Sequence, residues 1–258
     1  MISLLLLALG IAAFYFAVVW AISTKVKNYG FLDVAWSYGV AVLAPIYAIF
    51  GPGEGLRKWV VTALGVAWSL RLGTYILRRV LRHHPEEDAR YKSLRKEWPG
   101  AGMFLLFFEL QAVIAVVFSW PFLAVAFDAS PQIALVTWFG IGVSALAIAG
   151  ESLADHQSAR FKADPANKGK ICEEGLWRYS RHPNYFFEFL AWVGFFLCAV
   201  ASPWGWIAIV CPVLILYFLL KVTGIELTEK HSVERHGEKY RQYQRTTSAF
   251  IPWFRKKA

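Results

Sequence analysis

RYSRHPNYFFEFLAWVGFFLCAVASPWGWIAIVCPVLILYFLLK, residues 178–221, decides the fold. Between Pro183 and Leu220 the one formally charged side chain is Glu188. Two apolar runs flank the turn sequence Ser202-Pro203-Trp204-Gly205. A soluble surface helix alternates polar and apolar faces with a 3.6-residue period, whereas continuous apolar runs of about 18 residues or more mean membrane-crossing helices. The stretch is therefore a transmembrane helical hairpin with basic residues at its mouth.

The same pattern repeats outward from it. Spans are expected at 2–22, 31–50, 58–80, 103–127, 131–152, 184–201 and 205–223, with a second tight turn at 128–131 (DASP). The fold class is thus an all-α integral membrane protein with seven transmembrane helices, a single domain over 1–258, without internal repeats or low-complexity segments. Hydrophobic residues make up 57% of the chain and the mean hydropathy is +0.42, more apolar than a soluble domain of this size. The first span lacks a positive leading segment and is followed at once by a second, so it is a helix and not a signal peptide. Cys172, Cys198 and Cys211 are odd in number and irregularly spaced. They are core thiols, not a disulfide or metal framework, and no metal site is expected.

Charge sets the orientation. Loops 23–30, 78–102 and 153–183 and the tail from Lys221 carry 24 of the 27 lysines and arginines, and the opposite side has only Arg57 and Lys58. The positive-inside rule places the amino terminus outside and the carboxyl terminus in the cytoplasm. It also accounts for the net charge of +9 without nucleic acid, for which no recognition motif is present.

Ionisable groups inside apolar spans are expensive and mark function by default. Asp33, Arg71, Glu109, Glu151 and Glu188 all fall in the cytoplasmic half under this orientation, which suits a site open to the cytosol with an apolar inner end. Arg71 and Glu109 are alternatively buried glue. Pro183 suits the first position of a helix, with His182 as its N-cap. Arg178, Arg181 and Lys170 then surround a helix N-terminus, a site suited to phosphate. Asn184 and Glu188 share a helical face below it, as do Glu151 and Asp155 at the end of the fifth span, followed by Arg160 and Lys162. Amides and carboxylates hold carboxamide, adenine and ribose groups, and basic side chains hold phosphates. The tail adds Glu226, Glu229, Tyr240 and Tyr243; its bland alternative is an interfacial amphipathic helix.

GLWRYSRHPNYFFE, a hairpin of spans, then ExxEKH…RHGxxYxxY…SAFIP resembles the steroid 5α-reductase family, with FLDVAWS and EEDARYKSLR resembling its bacterial, DUF1295-type branch. The resemblance covers essentially the whole chain and is most specific over 150–252. It implies a seven-helix fold that binds NADPH from the cytosolic side of a bacterial inner membrane and reduces the Δ4 double bond of a 3-oxo-steroid, or of a similar flat lipid arriving from the bilayer. By position, Asp155, Tyr179, Asn184 and Glu188 match nucleotide-contacting residues of the family. Arg71 matches an arginine approaching the cofactor, and Lys162 stands where the eukaryotic members have Arg. Glu151 stands where they have Asn, and Glu229 where they have His. Tyr185, Tyr240 and Tyr243 complete the expected cofactor set. The eukaryotic members grip the steroid ketone with a Glu and a Tyr that are not retained here; Asp33, Trp36, Tyr38 and Trp68 occupy the corresponding regions and are the expected substrate contacts. The implied reaction delivers hydride to the β-carbon of an enone while a donor polarises its carbonyl. Asp33 is expected to be that donor, as a neutral carboxyl buried without a partner, the competing view being an ion pair with Arg71. Tyr38 and Glu188 are the other expected catalytic residues. A membrane methyltransferase using S-adenosylmethionine is the alternative, because its members share an RHPxY turn and a C-terminal Glu. No obligate protein partner is implied.

Overall fold

The computed structural model describes residues 1–98, 100–130, 132–222 and 224–256. Pro131, which closes the expected DASP turn and opens the expected fifth span, and Thr223, which ends the expected seventh, lie outside the described residues. Among the described residues there is no strand, only an isolated parallel bridge between Ser180 and Ser248. The helices are α1 (Ile2–Lys25), α2 (Phe31–Phe50), α3 (Leu56–His83), α4 (Ala89–Glu97), α5 (Ala101–Phe118), α6 (Trp120–Ala126), α7 (Leu135–Ala163), α8 (Pro183–Ala199), α9 (Val210–Tyr217), α10 (Ile225–His236) and α11 (Glu238–Thr246). Short 3₁₀ turns lie at Pro165–Asn167, Gly175–Arg178 and Gly205–Ile209, and a π turn at Phe218–Val222. Among the described residues, six helical stretches are long and apolar enough to cross a membrane: α1, α2, α3, α5, α7 and Gly205–His236. Helix α8 is apolar but has 17 residues. Large apolar side chains such as Leu6, Phe14, Leu106, Leu110, Phe139 and Leu146 point outward, which suits lipid as the surrounding solvent.

The chain divides into two compact units, Met1–Thr137 with Cys198–Ala208, and Trp138–Leu197 with Ile209–Ala258. In the first, α1 buries Leu4, Ala8, Ala12 and Phe16, a stripe four residues apart with small residues at its centre. Lipid tails are as apolar as leucine, so close packing rather than water exclusion must hold such helices together. Helices α2 and α3 share an unusual joint. The Ser69 hydroxyl accepts from Ala41 N–H at 3.0 Å and donates to Ser37 O at 2.6 Å. It thus ties α3 to two backbone groups one turn apart on α2. The expected span 103–127 is broken at Ser119. Pro121 brings no N–H to continue the ladder, and the Ser119 hydroxyl bonds Val116 O and Tyr47 OH instead.

Loop 78–102 is ordered by charge. Asp88 caps α4 by accepting from Arg90 N–H at 3.0 Å. Buried Glu87 accepts from Tyr29 N–H at 2.7 Å and from Arg95 at 2.8 Å, and Arg95 lies over the Tyr29 ring.

In the second unit α7 and α8 run antiparallel and close. A Cβ on Gly150 would meet the Phe187 ring at 2.4 Å, and one on Gly194 would meet Ser144 Oγ at 2.3 Å and its backbone N at 2.7 Å. The lack of a side chain at those two positions permits the approach, and the stretch of α7 that bears Glu151 and Asp155 lies against the start of α8.

Candidate functional site

Pro183 begins α8, as the sequence predicts, but the mouth of the helix is not an open cradle. Ser180, Arg181, His182 and Pro183 are all buried. The chain's own tail closes over them. Arg181 N–H donates to Ser248 O at 2.8 Å, Ser180 Oγ to Phe250 O at 2.8 Å, and Trp253 N–H to Tyr179 O at 2.9 Å. The Arg181 guanidinium donates from Nε to Glu229 Oε1 at 2.6 Å and from Nη1 to Gln244 O at 3.0 Å and to Thr247 O. Glu229 also contacts His182 Nε2 at 3.2 Å and accepts from Gln244 at 2.8 Å. The His182 ring stacks on Tyr185, whose hydroxyl is 3.5 Å from Thr228 Oγ1. Tyr243 OH donates to Trp177 O and, at 3.3 Å, to Ser180 O. Burial pushes the Tyr243 phenol well above its ordinary pKa, and it pushes Tyr240 up to about 12 with help from the Glu229 charge.

Beneath this knot lies a different group. Helix α7 contributes Glu151 and Asp155, and α8 contributes Asn184 and Glu188. Glu151, Asp155 and Glu188 are 3%, 7% and 6% exposed. Asn184 Nδ2 lies 3.4 Å from Asp155 Oδ1, and Glu188 Oε1 accepts from the Trp192 indole N–H at 3.0 Å. The connection to α8 is strapped to α7 beside them, through Trp177 Nε1 to Ala154 O at 2.9 Å and Leu176 N–H to Gln157 Oε1 at 2.9 Å. Arg160, Lys162, Lys170 and Arg178 are exposed, and Arg160 lines an open cleft of about 500 Å³ with Gln157, Asp164, Asn167 and Glu174.

In the first unit Asp33 is not a lone carboxyl. Its Oδ2 accepts from Arg90 Nη2 at 2.7 Å and its Oδ1 from Tyr91 OH at 2.7 Å, with Arg79 at 4.0 Å. Burial and the Asp33 charge hold the Tyr91 phenol well above its ordinary pKa. The expectation of an unpartnered carboxyl is therefore corrected, and so is the rival pairing with Arg71: an arginine 57 residues away is the partner. Trp36 and Trp68 are brought together, edge to face at 6.3 Å. Tyr38 turns elsewhere, its hydroxyl 3.0 Å from Thr74 Oγ1. Arg71 is half-buried on α3.

The family model described as "Protein of unknown function (DUF1295)" matches residues 19–247. The chain belongs to the DUF1295 family. An uncharacterized protein of Schizosaccharomyces pombe is 28% identical over 270 residues, covering 91% of this chain and 76% of that protein. No solved structure matches.

Within this DUF1295 chain the expected cofactor residues sort into two sets. Arg181, His182, Glu229 and Tyr243 have their polar atoms committed to the tail and to each other, which corrects the expectation of a free phosphate cradle at the α8 N-terminus. Glu151, Asp155, Asn184 and Glu188 come together on α7 and α8. Sequence reasoning missed Ser180, whose hydroxyl also accepts from His182 N–H at 3.1 Å, and it missed Gln157. Ser180 carried a signal, because serine hydroxyls commonly accept from the N–H two residues on, here His182 just before Pro183. Gln157 carried none.

Proposed function

We propose that this protein is an NADPH-dependent reductase of a conjugated enone lipid, of the steroid 5α-reductase type, with α8 as a seventh, short span, the amino terminus outside and the carboxyl terminus cytoplasmic. The observation that carries the reading is the grouping of buried Glu151, Asp155 and Glu188 with half-buried Asn184 on two closely packed helices. Carboxylates and an amide gathered on one surface can accept from hydroxyl and amine groups. Ribose hydroxyls, an adenine amine and a carboxamide N–H are the donors a dinucleotide brings. The exposed Arg160, Lys162, Lys170 and Arg178 favour a ligand with phosphates, which a dinucleotide has and S-adenosylmethionine lacks. In this reading Asp155 and Asn184 orient the ribose, and Glu151 and Glu188 hold the deeper end, while NADPH supplies hydride when bound. The substrate class rests on the sequence resemblance and on the aromatic Trp36–Trp68 pair, a surface suited to a flat ring system.

The test is thermal unfolding of the purified protein in detergent with either nucleotide. NADPH at 100 times its dissociation constant adds about 2.7 kcal/mol to the folded state. Glu188→Ala is expected to remove that gain while the protein still folds, its ligand-free melting temperature lowered by the loss of the Trp192 bond. Stabilisation by S-adenosylmethionine and not by NADPH would refute the assignment. NADPH consumption with a Δ4-3-oxo-steroid tests the substrate class separately.

A further inference from the structure

The tail leaves an apolar surface beside the knot. Ile251, Trp253 and Phe254 are 59%, 67% and 77% exposed, clustered around Pro252. Their height along α8 is fixed. The Phe250 ring packs against Phe186 and Phe189 at 5.8 and 5.9 Å, on the first two turns of α8, and Trp253 N–H is bonded to Tyr179 O just before that helix. If α8 crosses the bilayer with Pro183 at the cytoplasmic end, as in the reading above on which this depends, these side chains sit at the lipid boundary, the level where exposed aromatic rings gain most.

The charge beside them is lopsided. Directly after them in the chain, Arg255 and Lys256 line a cleft of about 370 Å³ together with Lys239, Glu173, Gln242 and Thr246. Glu173 pairs with Arg255, whose Nε also donates to Thr247 Oγ1 at 3.1 Å. Lys256 N–H is fixed to Thr246 O at 2.9 Å, which keeps its exposed side chain at the cleft. Three cations facing one carboxylate leave a net positive recess next to exposed aromatic groups.

We infer that residues 250–256 form a docking surface for anionic phospholipid, with Ile251, Trp253 and Phe254 in the acyl–headgroup boundary and Lys239, Arg255 and Lys256 on the headgroup phosphate. Charge complementarity selects the lipid: a zwitterionic headgroup carries its own cation, whereas phosphatidylglycerol presents an unbalanced negative charge to the recess. Because the tail also holds Arg181 and Ser180, the lipid bears on the closure of the knot over α8.

The experiment uses the full chain in nanodiscs, with Ile251→Cys carrying an environment-sensitive fluorophore in a Cys172→Ser background, since Cys198 and Cys211 are buried. Blue-shifted emission is expected, with stronger quenching by doxyl-labelled phosphatidylglycerol than by doxyl-labelled phosphatidylcholine. Lys239→Gln and Lys256→Gln should each lower that preference about fivefold, near the contribution of one cation at an anionic surface. Water-like emission at position 251, or equal quenching by the two lipids, would overturn the inference. Displacement of phosphatidylglycerol by inorganic phosphate would overturn it too, assigning the recess to a free anion. A fluorophore at Val193→Cys on α8 separates the premises. Lipid-like emission at 193 with water-like emission at 251 refutes the docking surface alone, and water-like emission at 193 removes the placement of α8 together with the inference built on it.

Discussion

Arg181→Ala distinguishes a structural pin from a phosphate ligand. The Arg181 side chain is 9% exposed and its partner Glu229 is 14% exposed. Truncation leaves Glu229 with His182 and Gln244 but without its counter-charge, and leaves Gln244 O and Thr247 O without this donor. Removing one member of a buried ion pair typically costs 3–5 kcal/mol, and the small opening at Glu229 argues for the lower end, about 3 kcal/mol. On the scale for domains of 150–250 residues that is a fall of about 6–12 °C in melting temperature. Arg181→Lys keeps the charge but not the fork, so it should fall between alanine and the native chain. Arg181→Met combined with Glu229→Leu should recover most of the loss, because an apolar pair of similar volume needs no counter-charge. The assay is thermal unfolding in one detergent without ligand, comparing the single and double variants at a fixed scan rate. A ligand-free Arg181→Ala protein melting within about a degree of the native one would refute the reasoning and return Arg181 to the nucleotide.

Gly194→Ala should destabilise more than Gly150→Ala in the same assay, since the first drives a methyl group against backbone on α7 and the second against a ring that can turn; about 1–3 kcal/mol is expected for the first. Asp33→Asn should cost only about 1 kcal/mol, a drop of about 2–4 °C, because the Arg90–Asp33 pair is partly solvated and the amide oxygen can still accept from Tyr91. Ser69→Ala should cost more than its lost volume suggests, since Ala41 N–H and Ser37 O both lose a partner; Ser69→Thr, which keeps the hydroxyl, should melt above it.

The helices were legible because lipid demands apolar side chains along whole segments. Residues 31–50 came out as expected, and Pro183 marked the start of α8 through its own chemistry. The break at Ser119 was readable from Pro121, but a long apolar run masks it. That Glu151 shares a face with Asp155, and Asn184 with Glu188, followed from helical spacing, whereas the meeting of the two pairs did not follow from it. What did not follow were partners contributed from far along the chain. Asp33 looked isolated because Arg90 lies on a short polar helix that hydropathy cannot orient. Arg181 looked available because nothing nearby in sequence neutralises it, while Glu229 is 48 residues on. A basic residue at a helix mouth has the same sequence signature whether it awaits a phosphate or is already bonded.

The knot also imposes an order of assembly during synthesis. Arg181 and the Thr247 carbonyl that receives it are 66 residues apart. At about 5–20 residues per second, a ribosome takes roughly 3–13 s to make that interval. If α8 and the following apolar run insert as the proposed hairpin, they do so before the Thr247 carbonyl exists to receive the Arg181 guanidinium. In the proposed orientation this is the period when a free positive charge on the cytoplasmic flank helps to set which way the hairpin faces. Once Glu229 and the tail emerge, the same guanidinium is withdrawn from water and becomes a fastener. In that orientation one residue would act first as a topological signal to the insertion machinery and afterwards as a lock closed by residues made later.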